Sequence, residues 1–396
     1  MNSESQTQAS PKSPKNILFA SWYGGLGGGE TDLLTLAQDL NRADYTPYLL
    51  VPHEGQLAQA WRKQGGQVHV IPFRGVTTWF VPFIWTRLPV VAHITRLLRE
   101  QHIHLVHSDY HTLPFMAGAC QQAQVPLMWT VHGWWFRPQI WQRAFFRAMP
   151  AVARSHSVKD GFLGTPPFMS PDDLPVVYSG VDTARFHPDI NASAEKSALG
   201  FAPNVPLVTL IARFQSVKGH EVFQNMAREI APHLPNVQFI VAGENVFGGA
   251  RDNAYKAHVL AIAKSDSLLQ TRLHYIGFRD DVENIIALSD VVVCASDFES
   301  YGKVNLEAMA CGKAVVSTNR GGPSETVLHG ETGFLVPPQD APNMAHHVMT
   351  LLNNPSLRAE MGRKGRERVL AHFSASKTIQ AYQNYFARLL ATPPTK

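Results

Sequence analysis

Short apolar runs recur along the chain, separated by longer stretches with helical spacing of their apolar positions. The first half carries NILFAS (16–21), YLLVP, VHVIPF, HLVHS, PLMWTV and AVARS; the second carries PLVTLIAR, VQFIVAG, LHYIG, VVVCAS, AVVST and GFLVP. A run such as VVVCAS (291–296), apolar without interruption, predicts a buried strand. Strands separated by helices of about 10 to 15 residues predict parallel, doubly wound sheets, and two such series predict two sheets. Between them VVYSGVDTARFHPDINASAEK, punctuated by Gly, Pro and Asp, predicts a linker near 178–200. The expected organisation is a tail over 1–15, one domain over 16–185 and a second over 186–374, with the last helical pattern, 375–391, returning to complete the first. Open α/β sheets bind ligands at the carboxyl ends of their strands, so two facing sheets imply a cleft.

Composition narrows the class. A chain of 396 residues, 45% hydrophobic and 17% charged, is long enough for two ordinary cores. The first fifteen residues hold almost no large apolar group and lack the apolar centre of a signal peptide, which predicts a flexible tail. The segment WFVPFIWTRLPVVAHI from Trp79 is broken by Pro82, Arg87, Pro89 and His93, so no spanning helix is expected and the predicted location is cytoplasmic. Cys120, Cys294 and Cys311 form no CxxC pair, and the adjacent His346 and His347 lack ligand spacing; neither a disulfide nor a metal site is expected. A net charge of +4 favours anionic partners without calling for nucleic acid.

Four stretches carry candidate chemistry. In DFESYGKVNLEAMACGK, Glu299 falls on a strand-to-helix loop and Glu307 in the first turns of the helix. Two acceptors so placed suit the two ends of an elongated polyhydroxylated ligand lying across a helix N-terminus, the shape of a sugar nucleotide. Arg213 ends a strand and Lys218-Gly219 opens a helix, which suits a diphosphate, although two solvated loop cations would look the same. Gly24, Gly25, Gly27, Gly28 and Gly29 precede a helix but match neither the dinucleotide fingerprint nor a P-loop, leaving phosphate approach and a tight turn both open. His132-Gly133 follows a strand, where a histidine is either structural or part of a site. After it, Trp134, Trp135, Phe136, Trp141, Phe145 and Phe146 interleave with Arg137, Arg143 and Arg147. Ile140, Trp141, Ala144, Phe145 and Ala148 recur at helical spacing beside those arginines, which fits either a membrane-surface helix or core packing with solvated arginine heads.

Taken together, these stretches resemble family 4 of the retaining glycosyltransferases. The likeness runs through the GGGE loop, TVHG, SGVD, ARF-x3-KG, VAGE, YIGF and, most specifically, ESYGKVNLEAMACGKAVVSTNRGGPSE. It implies the GT-B fold, two facing Rossmann-like domains with an interdomain cleft, and transfer of a hexose from a nucleotide sugar to an acceptor hydroxyl. By match, Glu299 partners the transferred sugar and Glu307 the ribose, while Arg213 and Lys218 grip the diphosphate with help from the backbone of Lys303 and Val304. Gly27 and Gly28 approach the β-phosphate, His132 is the active-site histidine, and Gly243, Ser300, Tyr301 and Gly302 complete the donor surface. The resemblance further implies front-face transfer without metal or cofactor, with the acceptor, a lipid or envelope glycan among those admitted, received by the amino-terminal domain. Two positions depart from the pattern: Ser179 stands where asparagine is usual, and Arg154 interrupts an apolar strand. An epimerase on the same fold, or a silent sugar-nucleotide-binding protein, is the alternative.

Overall fold

The computed structural model describes residues 13–74, 89–133, 138–245 and 249–391. All twelve apolar runs are strands. The first sheet contains β1 (Lys15–Ala20), β2 (Tyr45–Val51), β3 (Gln67–Val70), β4 (Ile103–Ser108), β5 (Leu127–Val131) and β6 (Ala151–Ala153), in the order β3-β2-β1-β4-β5-β6. The second contains β7 (Leu207–Ile211), β8 (Gln238–Ala242), β9 (Leu273–Gly277), β10 (Val291–Cys294), β11 (Ala314–Thr318) and β12 (Gly333–Val336), in the order β12-β11-β10-β7-β8-β9. Neighbouring strands pair in parallel in both sheets, from β1 with β4 to β7 with β10. Strand order reverses at those two pairs, which opens a crevice at the carboxyl edge of each sheet.

The uninterrupted apolar runs are explained by helices on both faces. Along β1, Ile17 and Phe19 join one core with Trp61 and Phe386, whereas Leu18 and Ala20 join another with Ile94, Met116 and Trp129. A strand so covered has no wet face on which a polar residue is favoured.

The chain crosses between the lobes twice, and the two crossings lie side by side. The Val181 N–H donates to the Phe373 carbonyl at 2.8 Å, and the Ala375 N–H to the Val181 carbonyl at 2.9 Å. A Cβ on Gly180 would come within 2.5 Å of Ser374 O and Ala375 Cα, so the glycine of SGVD is required by this close approach. The expected linker is less irregular than its composition implies. Val181 and Phe186 are buried against Val369 and Phe373, and residues Ser193–Ala198 form a short helix.

After the second crossing the helix Ala375–Ala391 packs on the first lobe. Phe386 is fully buried, with its ring 6.4 Å from that of Phe19 and 6.0 Å from that of Tyr45. Tyr382 and Thr130 share a hydrogen bond of 3.0 Å, and the Tyr385 hydroxyl donates to the Ala151 carbonyl.

Of the two readings of the Ile140–Arg147 pattern, packing of its apolar stripe into the core does not hold. In the helix Ile140–Arg147 the buried residues are Gln142 and Phe146, while Ile140 is 85% and Trp141 38% exposed. Phe146 is drawn into a ring cluster with Trp129 and Phe162, at 5.2 and 5.3 Å, and that pairing sets which face turns inward. Trp134, Trp135, Phe136 and Arg137, and the segment 75–88, lie outside the described residues.

If the last helix is an integral wall of the first lobe, Phe386→Ala should cost about 3 to 5 kcal/mol in urea unfolding monitored by fluorescence, as a large buried aromatic does. A loss under about 1 kcal/mol would show the helix to be dispensable for that core.

Candidate active site

The loops after β1, β4, β5 and β6 face those after β7, β8, β9 and β10 across a cavity of about 640 Å³. All of the residues that the resemblance places at the donor site line it: Gly27, Gly28 and His132 from the first lobe, and Arg213, Lys218, Gly243, Glu299, Ser300, Tyr301, Gly302, Lys303, Val304 and Glu307 from the second; Gly24 and Gly25 do not.

Backbone geometry builds the wall of the second lobe. Gly302, at φ +77°, precedes the helix Lys303–Ala310, whose first residues line the cavity, and a helix N-terminus favours anions. Gly219 has φ +70°, and a Cβ there would lie 1.9 Å from the Ala295 carbonyl oxygen. Glycine therefore lets the Lys218 turn seat directly against the loop after β10. The Asp297 N–H donates to the Val217 carbonyl at 2.8 Å across that seam. Lys218 Nζ then reaches Glu299 Oε2 at 2.6 Å, and Ser296 Oγ donates to the same oxygen at 3.0 Å. Glu307 sits further along the helix, where burial raises its carboxyl pKa and the nearby Lys303 ammonium opposes that rise.

The first lobe contributes a helix N-terminus and a polar chain. The helix Gly28–Asp39 begins inside the glycine run, so Gly28 and Gly29 occupy its first turn rather than the preceding loop. The Gly27 N–H donates to Glu30 Oε2 at 3.1 Å, and burial raises the Glu30 pKa. His132 leaves β5 and accepts a hydrogen bond at Nδ1 from Arg154 Nη1 at 3.0 Å; burial pushes its pKa down to about 4. Arg154 also forms an ion pair with Asp32, whose Oδ1 accepts from Lys303 Nζ of the other lobe at 2.7 Å.

A family model described as glycosyl transferases group 1 matches residues 191–368, and one described as glycosyltransferase family 4 matches residues 26–185. Between them they take in both lobes. The chain belongs to glycosyltransferase family 4.

Among curated relatives, this family 4 chain is 32% identical over 254 residues to the alpha-maltose-1-phosphate synthase of Mycolicibacterium smegmatis, covering 60% of this chain and 63% of that one. It is 27% identical over 219 residues to the N-acetyl-alpha-D-glucosaminyl L-malate synthase of Bacillus anthracis, covering 55% and 54%. The chain thus spans somewhat more than half the length of these relatives. Among solved structures, a glycosyltransferase of Rickettsia africae superposes with a TM-score of 0.82 at 20% identity, over 96% of this chain and all of that one. Anabaena HepE, solved with UDP and glucose, superposes with a TM-score of 0.78 at 23% identity, over 94% and 99%. Both likenesses establish the GT-B fold.

The site of this family 4 chain includes residues that sequence reasoning passed over. Asp32 carried no signal beyond an acid one turn into the first helix, and Arg154 registered only as an interruption of an apolar strand. In the structure β6 ends at Ala153, and Arg154 is the first residue beyond it, on the cavity wall. Glu325, the last residue of the long motif, accepts from the N–H groups of His156 and Ser157 at 2.9 and 2.7 Å, capping a first-lobe helix from the second lobe. Among the described residues, no helix is long and apolar enough to cross a membrane, and no group of three or more His, Cys, Asp or Glu is arranged to hold a metal.

Burial keeps His132 neutral down to about pH 4, whereas an unfolded histidine protonates near 6.5. Between those values the unfolded chain binds more protons, so this residue's contribution to stability is intact above pH 6.5 and is lost as pH falls toward 4. Thermal melts from pH 7 to 4.5 should therefore show a shallower loss of Tm in His132→Gln than in the native protein. Parallel curves would mean that the native ring protonates freely.

Proposed function

We propose that the protein transfers a hexose, with retention of configuration, from a nucleoside diphosphate sugar to an acceptor hydroxyl. The observation that carries this reading is the convergence of Arg213, Lys218 and the N-terminus of the helix Lys303–Ala310 on one wall of the cleft, with Glu299 and Glu307 beside them. Cations and a helix N-terminus along one cavity wall suit a diphosphate, and carboxylates on the same wall suit the hydroxyls of a sugar and a ribose. In this reading Glu299 receives the transferred sugar, Glu307 the ribose, and Gly27 and Gly28 the β-phosphate, where a Cβ on Gly28 would meet nothing within 4 Å. The bond from the anomeric carbon to the phosphate oxygen breaks while the acceptor oxygen bonds to the same face. The acceptor's proton passes to the leaving diphosphate. Arg213 and Lys218 offset the charge that develops there, which is the task a metal performs in other transferases.

Lys218→Ala should lower kcat by about 10- to 100-fold with the melting curve preserved, since a donor to developing charge is worth a few kcal/mol. UDP-glucose is the first donor to test, with product analysis in the presence and absence of acceptors. Unchanged turnover at saturating donor would remove Lys218 from the mechanism, and sugar-nucleotide conversion without acceptor would favour an epimerase. The two glutamates should separate: Glu307→Ala weakens binding of the nucleoside diphosphate, whereas Glu299→Ala lowers kcat and leaves that affinity nearly unchanged. The reverse pattern would invert the assignment.

The acceptor is proposed to be a lipid or lipid-linked glycan at the cytoplasmic membrane face. Exposed Ile140 and Trp141 share the outer face of their helix with the exposed Arg143 and Arg147, an apolar tip with a cationic rim. Each arginine near an anionic leaflet contributes about 1 kcal/mol, enough for reversible attachment. Co-sedimentation with anionic but not neutral vesicles, lost in Arg143→Glu/Arg147→Glu and at high salt, is expected. Protein that stays in the supernatant with anionic vesicles at low salt would point to a soluble acceptor.

A further inference from the structure

Arg154 is one of the two departures from the family pattern that the proposed transfer leaves without a role. Its position follows from the sheet. Strands β5 and β6 pair in register, Val131 with Ala153, so the next residue of each, His132 and Arg154, leaves the sheet at the same level of the cleft. The Arg154 N–H donates to the Val131 carbonyl at 3.3 Å. The guanidinium is held on three sides: by Nδ1 of His132, by the Asp32 carboxylate, and by the Tyr301 ring, whose centre lies 6.0 Å from the guanidinium carbon. Asp32 is itself tied across the cleft to Lys303.

A guanidinium has only N–H groups to offer and does not lose its proton in a protein. A ring nitrogen that meets it must therefore present a lone pair, which places the single proton of a neutral imidazole on the other nitrogen. An imidazolium would set N–H against N–H and cation against cation. His132 Nε2 has no protein partner among the described residues, and the ring lines the cavity.

We infer that Arg154 is a positioning residue that locks His132 as the neutral Nε2–H tautomer, so that His132 meets the substrates as a hydrogen-bond donor to a hydroxyl or phosphate oxygen and not as a base. The tautomer stands on geometry alone; the donor role rests on the proposed transfer. The other groups that act on the pair are Asp109 and His107, near His132, and Glu30, Tyr301 and Tyr382, near Arg154. Of these Asp109 favours protonation of His132. Burial outweighs it, which agrees with a ring that stays neutral.

Long-range proton–nitrogen correlation on the full-length protein labelled with ¹⁵N-histidine reads the tautomer directly, with His132 identified by the signals lost in His132→Gln. The native ring should show the Nε2–H pattern without titrating from pH 8 to 5. Arg154→Lys should keep it, because an ammonium also only donates. Arg154→Met should release it to a titrating mixture of tautomers, with the midpoint moving toward about 6.5. An Nδ1–H pattern in the native protein overturns the inference, and it does so even if Arg154→Met fails to fold. An unchanged spectrum in a folded Arg154→Met overturns it as well. In turnover assays His132→Gln, which places an amide N–H near Nε2, should exceed His132→Asn, which places it near Nδ1, by about tenfold or more. Equal rates for the two would remove the donor role. Absence of any turnover by the native protein would instead count against the proposed transfer, leaving the tautomer to stand on the spectrum.

Discussion

The two backbone hydrogen bonds between Val181 and the Phe373–Ala375 segment hold the chain's crossings together, and the rest of the architecture depends on that contact. Their energy is small, about 1 kcal/mol each. Their effect is geometric. With both crossings pinned at one place, and Gly180 clearing the space for them, the last helix returns to the first lobe and the carboxyl edges of two parallel sheets face each other. A parallel sheet delivers all its strand ends to one side. Eight loops therefore converge on one cavity, although they come from both ends of the chain.

Within each lobe the cohesion is apolar, whereas across the cleft the contacts described above are polar. Ser155 Oγ donates to the Ser300 carbonyl, Glu325 caps the helix that starts at His156, and Lys303 reaches Asp32. Contacts of this polar kind resemble those between domains within a chain more than those inside a core. The cleft charges follow the same logic. A charge that is largely shielded from water is stable only with a partner, and Lys218 with Glu299, and Arg154 and Lys303 with Asp32, supply partners for one another. In the proposed reading, an entering diphosphate exchanges one set of ionic partners for another and does not have to create the charges it meets.

Twelve strands were legible in the sequence because burial on both faces of a sheet imposes an unbroken apolar run, a local property. The second-lobe wall of the cavity was legible for a related reason: Glu299, Gly302, Lys303 and Glu307 lie within one short loop and helix, and Arg213 and Lys218 within another. The outer face of the helix Ile140–Arg147 was not, because its spacing allowed more than one inward face. Contact with Trp129 and Phe162, remote in sequence, made the choice.

By itself, then, the sequence determined the strands, their parallel arrangement and the second-lobe loops that line the cavity, since each depends on neighbours along the chain. Only the tertiary structure decided what those loops face. Asp32 and Lys303 are 271 residues apart, and His132 and Arg154 are 22 apart on neighbouring strands. No periodicity records such pairs, because the partner of a charge is set by where the sheets bring it, and the charge alone gives no indication of its distant neighbour.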